Sequence, residues 1–236
     1  LNRLVISDLG VSALLATVIF SFQHFSSPLA LWSGHLSDRH RALGRRRTPY
    51  ILLWTLVGTI GVPFLPDLLV RLDSGMAVVL SAVILAVMGF GLKAANLLVS
   101  ALIVDSNTDS EVRGRQLNIV WVMAIAGFIV AGLVFGWAIP DFQPDATSSV
   151  ERLRWVALAT TAFVLLVTAV AVVGTEPPGS EPSRVIVVPL RAGLRLLLAD
   201  PRLRRILVFL ALSDFGFFVQ EFILEPFGAD AIPADA

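Results

Sequence analysis

The chain has 236 residues, of which 56% are hydrophobic and only 15% charged, and its formal net charge is zero. Soluble domains are richer in charged residues, so this composition favours a membrane protein. The zero net charge of the whole chain gives no indication of an anionic partner. The absence of cysteine excludes disulfides, thiolate metal sites and iron–sulfur ligation.

Six apolar stretches are long enough to cross a bilayer, for which a helix needs ~20 mainly apolar residues. Each stretch is bounded by turn-forming or charged residues. In chain order they cover residues 11–34, 49–66, 76–104, 116–139, 154–174 and 206–224. The pattern predicts an all-α polytopic membrane protein.

Arginine residues are concentrated in alternate connections between these stretches. The connections 35–49, 105–115 and 175–205 hold five, two and six arginines, and the other side holds Arg3, Arg71, Arg152 and Arg154. Cytoplasmic loops carry an excess of positive residues, so we expect these three connections on the cytoplasmic side. The opening residues, LNRLVISDLG, are typical of the end of an earlier apolar helix. We therefore expect one helix before Leu1 in the complete protein.

The loop GHLSDRHRALGRRRTPY, residues 34–50, combines one carboxylate with several guanidinium groups. Gly34 allows close packing at the end of the first stretch, and Asp38 can pair with an arginine. The candidate partners are Arg39, Arg45 and Arg46. Such a cluster between two helix ends can clamp neighbouring helices, and its arginines also serve as topogenic charges.

Polar residues recur at helical spacing inside the third stretch. Gly89, Lys93, Asn96 and Ser100 share one face, which should point into a helix bundle. Lys93 is the only lysine in the chain. It could neutralise an acid of the sixth stretch, bind a carbonyl group of a ligand, or form a buried ion pair that only fixes packing.

Two further stretches carry weaker patterns. Gly127, Gly132 and Gly136 give the fourth stretch a small-residue surface suited to close helix packing. The segment PLRAGLRLLLADP, residues 189–201, has leucines on one face and arginines on the other. It fits either a short amphipathic helix attracted to anionic lipid or an ordinary linker with a hydrophobic stripe.

The sixth stretch carries acidic side chains although it is otherwise apolar. Asp214, Glu221 and Glu225 share one helical stripe, and Gln220 lies beside them. Ionised groups in hydrocarbon are costly, so such residues usually face a cavity, a partner or a ligand. No lysine or arginine occurs after Arg205, so their partner must lie elsewhere.

The loop order of Gly34, then Asp38 and Arg39, then Gly44, Arg45 and Arg46 resembles the cytoplasmic signature of the major facilitator superfamily. The connection DSNTDSEVRGR, residues 105–115, is similar to another connection of that superfamily. The resemblance implies an incomplete major-facilitator-type bundle containing about helices two to seven of twelve. It divides the chain into an N-terminal half lacking its first helix (1–174), a cytoplasmic connection (175–205) and the first helix of the second half (206–236).

Three stretches resemble one branch of this superfamily, the PucC-type or bacteriochlorophyll delivery family. They are LNRLVISDLGVSALL, SDRHRALGRRRTPYI and FGFFVQEFILEPFG. The family pattern in helix seven is matched in order by Gln220, Glu221, Leu224, Glu225, Pro226, Phe227 and Gly228, with its first glycine displaced to Gly216. The resemblance implies assembly of light-harvesting complexes, with pigment delivery as the mechanism.

This resemblance implies bacteriochlorophyll, and also carotenoid, as candidate cofactors. The implied partners are membrane lipid and either antenna polypeptides or a reaction-centre complex, in the bacterial inner or intracytoplasmic membrane. His24 is a candidate axial ligand for a chlorin's magnesium, or else a histidine hydrogen-bonded to a neighbouring helix. Lys93, Asn96, Asp214, Gln220, Glu221 and Glu225 are the other candidate ligand or coupling residues.

Two alternative functions remain open at this point. The chain could be a secondary transporter that moves a small solute by alternating access, or a stable subunit of a photosystem. No Walker loop, dinucleotide fingerprint, HExxH motif or nucleophile elbow is present, so we expect no enzymatic activity. The basic loops are short and lack interleaved aromatic residues, so we expect no nucleic-acid binding.

Overall fold

The computed structural model describes residues 27–70, 75–107, 109–138, 147–176 and 198–209, with 211–213 and the single positions 15, 18, 19, 192, 195 and 216. The chain divides into two units, Thr17–Ser180 and Glu181–Ala236 with Leu1–Ala16. All regular elements of the described residues are helices.

The part of the first unit that the structure describes includes six α-helices with defined bounds. They are α1 (Ser27–Arg39), α2 (Thr48–Thr59), α3 (Leu65–Leu69), α4 (Gly75–Ser106), α5 (Ser110–Ala138) and α6 (Thr147–Val172). A 3-10 turn, Val62–Phe64, joins α2 to α3. Pro49 lies in the first turn of α2, where proline costs no intrahelical hydrogen bond. In the second unit, residues 201–209 are helical.

Four helical segments among the described residues are long and apolar enough to cross a membrane. They are Thr48–Leu68, Gly75–Ser106, Ser110–Val134 and Ser148–Val172. These segments correspond to the second to fifth apolar stretches, so the all-α polytopic architecture is confirmed. The first and sixth stretches lie partly outside the described residues.

Some helices extend beyond the apolar stretches at one end. α1 continues to Arg39, past the predicted end at Gly34, and α5 begins at Ser110 rather than at Gln116. The first turns of α5 contain Glu and Arg, which are good helix formers although they are too polar for the hydrocarbon core. Asp109 supports this start, since its side chain accepts the backbone N–H of Glu111 at 2.8 Å.

The core of the first unit lies where α2 packs on α4. Ile51 of α2 and Leu98 of α4 are completely buried, and Trp54 packs edge-on against Phe90 with ring centroids 4.8 Å apart. α1 adds Ala30 to the same cluster. Burial of these side chains holds the three helices together at one level of the bundle.

Glycine lets α2 and α4 approach closely. A Cβ added to Gly91 would lie 2.3 Å from the backbone nitrogen of Gly58 and 2.7 Å from the carbonyl oxygen of Trp54. By contrast, a Cβ at Gly127, Gly132 or Gly136 of α5 would meet nothing within 4 Å. Among the described residues, the α5 glycines therefore make no close helix contact. The close contact between helices is instead made by the glycines of α2 and α4.

Candidate functional site

A tight turn after α1 redirects the chain toward α2. Ala42 and Arg45 exchange two backbone hydrogen bonds of 3.0 Å, while Leu43 and Gly44 between them have φ values of 53° and 73°. Two successive positive φ angles define a reversal that glycine adopts without strain and leucine tolerates only at some cost. The turn places the arginines that follow it beside the end of α1.

Asp38 receives two guanidinium groups from the residues after this turn. Arg46 Nη2 lies 2.6 Å from Asp38 Oδ1, and Arg47 Nη2 lies 2.8 Å from the same oxygen. Arg47 is buried, and its Nη1 also donates to Ser37 Oγ at 2.6 Å. Charge-assisted bonds of this kind fix the end of α1 against the start of α2.

Asp105, near the end of α4, completes the set of charges. Arg47 Nε donates to Asp105 Oδ2 at 3.1 Å, and Arg46 Nη1 lies 3.9 Å from the same oxygen. We call Asp38, Arg46, Arg47 and Asp105 the polar clamp. Its two positive and two negative groups balance, which offsets the cost of burying Arg47.

Glu176 lies just beyond α6 and caps the start of α2. Its carboxylate accepts the backbone N–H groups of Arg46 at 2.7 Å, of Arg47 at 2.9 Å and of Thr48 at 2.9 Å. Thr48 Oγ1 donates to it at 3.1 Å. These amides would otherwise lack partners, because the first N–H groups of a helix have none within it. A negative charge there also interacts favourably with the helix dipole.

The environment of Glu176 keeps its carboxyl group ionised. Burial by itself opposes ionisation, but hydrogen bonds from the amides of Thr48, Arg47 and Arg46 and from the Thr48 hydroxyl outweigh it and lower the pKa of Glu176. Thr175 Oγ1 donates to the carbonyl oxygen of Val172 at 2.8 Å and so ends α6. Glu176 and the polar clamp together join α1, α2, α4 and the end of α6.

The other residues predicted for the signature loop are not part of the polar clamp. Arg39 is exposed at the end of α1, and Arg45 is half-buried in the turn. Gly34 lies within α1, and a Cβ added there would lie 3.5 Å from Leu97 Cδ2, an ordinary contact distance. Gly44 is the loop glycine whose backbone conformation favours glycine.

The predicted polar face of α4 turns away from α2. Lys93 follows Gly91 by two residues, which places it about 200° around the helix from the contact with Gly58. Of the four residues of this face, Gly89 is buried, Lys93 and Ser100 are half-buried, and Asn96 is exposed. An amide facing outward from a membrane-spanning helix is unfavourable in lipid, so this face is suited to a cavity, a ligand or another part of the protein.

A groove of about 690 Å³ lies between α4, α5 and α6. Its walls are mainly apolar and include Ile103, Val120 and Val167. At its edge, Asn107 Nδ2 donates to Gln116 Oε1 at 2.7 Å. The apolar walls suit an apolar tail. The polar edge suits the polar end of an amphiphilic molecule.

The remaining predicted site residues lie outside the described residues. They are His24, Asp214, Gln220, Glu221 and Glu225. Within the ranges that the structure describes, no group of three or more His, Asp or Glu side chains could hold a metal ion. The roles of these five residues remain predictions.

Sequence reasoning missed Arg47, Asp105 and Glu176. Arg47 and Asp105 are 58 residues apart, and Glu176 lies 128 to 130 residues from the amides that it caps. Two local signals were present: the third arginine of the Gly-Arg-Arg-Arg run, and a glutamate two residues after the end of an apolar stretch. Neither signal identifies the residue with which the side chain interacts.

Comparison with known proteins agrees with the helical architecture. The sequence model of a family described as PUCC protein matches residues 1–233. The chain is 29% identical over 230 residues to a Rhodobacter capsulatus protein named bacteriochlorophyll synthase 44.5 kDa chain, covering 96% of this chain and 51% of the relative. It is also 29% identical over 255 residues to Protein PucC of Rhodovulum sulfidophilum, covering 98% of this chain and 53% of that protein.

A third relative extends the same pattern. Protein PucC of Rhodobacter capsulatus is 26% identical over 246 residues, which cover 98% of this chain and 52% of the relative. The chain thus spans about half the length of the curated relatives that it matches. No solved structure is significantly similar to it. Because the family match covers nearly the whole sequence, the chain belongs to the PucC protein family.

Proposed function

We propose that the chain is part of an assembly factor for photosynthetic light-harvesting complexes, which binds bacteriochlorophyll or hands it over to antenna polypeptides. The family match over residues 1–233 carries this proposal. Relatives named PucC, and one named as a bacteriochlorophyll synthase chain, support the link to this pigment. In this proposal the chain handles the pigment without transforming it, and the membrane is the bacterial photosynthetic membrane.

The described residues fit a pigment that is largely apolar and carries a few polar groups. Bacteriochlorophyll supplies carbonyl groups that accept hydrogen bonds and a long hydrocarbon tail. Lys93 and Asn96 could donate to such carbonyls from the outward face of α4. The groove between α4, α5 and α6 could take an apolar tail, or a carotenoid, against Ile103 and Val167.

The polar clamp contributes rigidity in this proposal. It joins the ends of α1, α2 and α4 on the side that the arginine distribution predicts to be cytoplasmic. Interhelical charge pairs of this kind fit a half-bundle that acts as one body, and we propose that the body is a major-facilitator-type half. The polar face of α4 then lies on a supported helix, so its donors keep a fixed spacing.

The test is a near-infrared absorption spectrum of the protein purified alone from a pigment-producing host in mild detergent. We expect a stoichiometric bacteriochlorophyll band that falls by more than about half in the Lys93→Met and Asn96→Ala variants, since each loses a polar contact. Asn118→Ala is the matched control, because Asn118 is also an exposed asparagine on a long helix. A folded wild-type protein without the band would exclude stable pigment binding.

A secondary transporter is the second candidate function. The observation that favours it is the placement of a lysine and an asparagine on one face of the spanning helix α4, away from the contact with α2. Solute uptake into proteoliposomes containing the complete protein, abolished by Lys93→Met, would favour transport over assembly. Stoichiometric recovery with the purified photocomplex would instead favour a stable subunit.

A further inference from the structure

The helical segment 201–209 begins with a cluster of arginines whose backbone is well anchored. The carboxylate of Asp200 accepts the backbone N–H of Arg202 at 2.8 Å and so caps the first turn. The backbone N–H of Arg204 donates to the carbonyl oxygen of Asp200 at 2.9 Å. The Asp200 carboxylate is therefore engaged with the backbone at the helix start.

The guanidinium groups of this cluster are exposed. Arg202, Arg204 and Arg205 all lie at the surface, and Arg195, one of the described positions before them, is exposed as well. Arg205 Nε donates to the carbonyl oxygen of Pro201 at 3.3 Å, which holds that side chain along the first turn. None of the three arginines of this turn forms an ion pair with another described residue. Residues 195–209 contain four arginines and one aspartate, a local excess of positive charge.

The next turn of the same helix is apolar on every side. Ile206, Leu207, Val208 and Phe209 are 55%, 39%, 52% and 68% exposed. Four residues advance an α-helix by about 6 Å. The arginine turn therefore precedes an exposed apolar turn by about the distance that separates lipid headgroups from the start of the hydrocarbon.

We propose that Arg202, Arg204 and Arg205 form a binding site for the headgroups of anionic phospholipids, at the point where this helix enters the membrane. The site takes the phosphate of lipids such as phosphatidylglycerol, whose negative charge complements the arginines and whose acyl chains cover the apolar turn. Guanidinium groups suit this role because they bind phosphate oxygens through paired N–H donors. The inference goes beyond pigment handling and does not depend on it.

The experiment is native mass spectrometry of the full chain in detergent, titrated with phosphatidylglycerol or phosphatidylcholine. We expect the wild type to retain phosphatidylglycerol preferentially. The triple variant Arg202→Gln, Arg204→Gln, Arg205→Gln should weaken the apparent affinity for this lipid by at least about tenfold, since each basic residue near anionic lipid contributes about fivefold. The corresponding triple lysine variant keeps the charge and should retain most of the binding.

The control removes the same charge elsewhere, through Arg39→Gln, Arg41→Gln and Arg45→Gln in and beside the turn after α1, and should change the affinity by less than about twofold. Equal loss in both triple variants, or a wild type that shows no preference for phosphatidylglycerol, would overturn the proposal. So would displacement of the lipid by inorganic phosphate at matched ionic strength, which would indicate a free-anion site. If the glutamine variant does not fold, amide hydrogen exchange of wild-type residues 198–209 decides: phosphatidylglycerol must slow it and phosphatidylcholine must not.

Discussion

The carboxylate of Glu176 is the side chain on which several interactions of the first unit converge. It is 7% exposed and accepts three backbone N–H groups at the start of α2. Sequence analysis predicted the carboxylate of Asp38 and the guanidinium of Arg46, because both belong to a compact loop. It could not predict Glu176 or Asp105, because their contacts depend on how distant helices pack.

Replacing Glu176 with glutamine should lower stability. The neutral amide loses the charge-assisted bonds to the amides of Arg46, Arg47 and Thr48, and its NH₂ group cannot accept from them, so we expect a loss of about 1–3 kcal/mol. The measurement is the Tm of both proteins in detergent at neutral pH. Glu151→Gln, at an exposed position of α6, is the control and should leave the Tm nearly unchanged.

The same pair of proteins should show a pH dependence that follows from the lowered pKa of Glu176. The folded state binds its proton less readily than the unfolded state, so the stabilisation is complete above the ordinary glutamate pKa of about 4.3 and is lost as pH falls through the lower folded value. We expect the Tm difference between wild type and Glu176→Gln to be largest near neutral pH and to shrink in acid. A difference independent of pH would contradict this assignment.

At the scale of elements, the length of the apolar stretches predicted the spanning helices, whereas their ends and contacts depended on other residues. α5 begins in a charged segment that is still a good helix former, so hydropathy alone placed its start too late. The glycines were harder to interpret. Spacing drew attention to Gly132 and Gly136, but the close contact is between Gly58 and Gly91, which lie on different helices.

Gly91→Ala should separate α2 from α4. The new methyl group would overlap the backbone of Gly58, which cannot move as a flexible side chain can, so we expect a loss of about 1–3 kcal/mol or more. Gly127→Ala is the matched control, with open space around its Cβ, and should be neutral or slightly stabilising because alanine favours helix. Thermal unfolding in detergent compares the two, and equal Tm values would show that the contact tolerates a methyl group.

At the scale of the whole molecule, the sequence predicted a polytopic helical protein and its family, because hydropathy and short motifs carry that information. Pigment binding and the role of the acidic stripe were not predictable to the same degree. The stripe of Asp214, Glu221 and Glu225 needs a partner outside the sixth stretch, and residue spacing cannot identify one. Residue spacing predicted the polar face of α4, but the spacing along one helix carries no information about which molecule, if any, binds there.

The double variant Glu221→Gln, Glu225→Gln tests the acidic stripe in the complete protein. If these carboxylates contribute to antenna assembly, removing their charge should lower the light-harvesting absorption of a photosynthetic host, because loss of one intramembrane charge contact of about 1.4 kcal/mol weakens the corresponding interaction about tenfold. Asp200→Asn removes a carboxylate at the helix cap and serves as the comparison. Normal antenna levels, with the variant protein present in the membrane, would exclude the stripe from assembly.

The cap on α2 also has a consequence for biosynthesis. A ribosome adds Thr48 long before Glu176, which follows it by 128 residues. When α2 first forms, its leading amides must be satisfied by water or by other groups, since their final acceptor has not yet been synthesised. The start of α2 therefore reaches its final hydrogen bonding only after α6 has been made, so completion of the first unit is coupled to translation of its last helix.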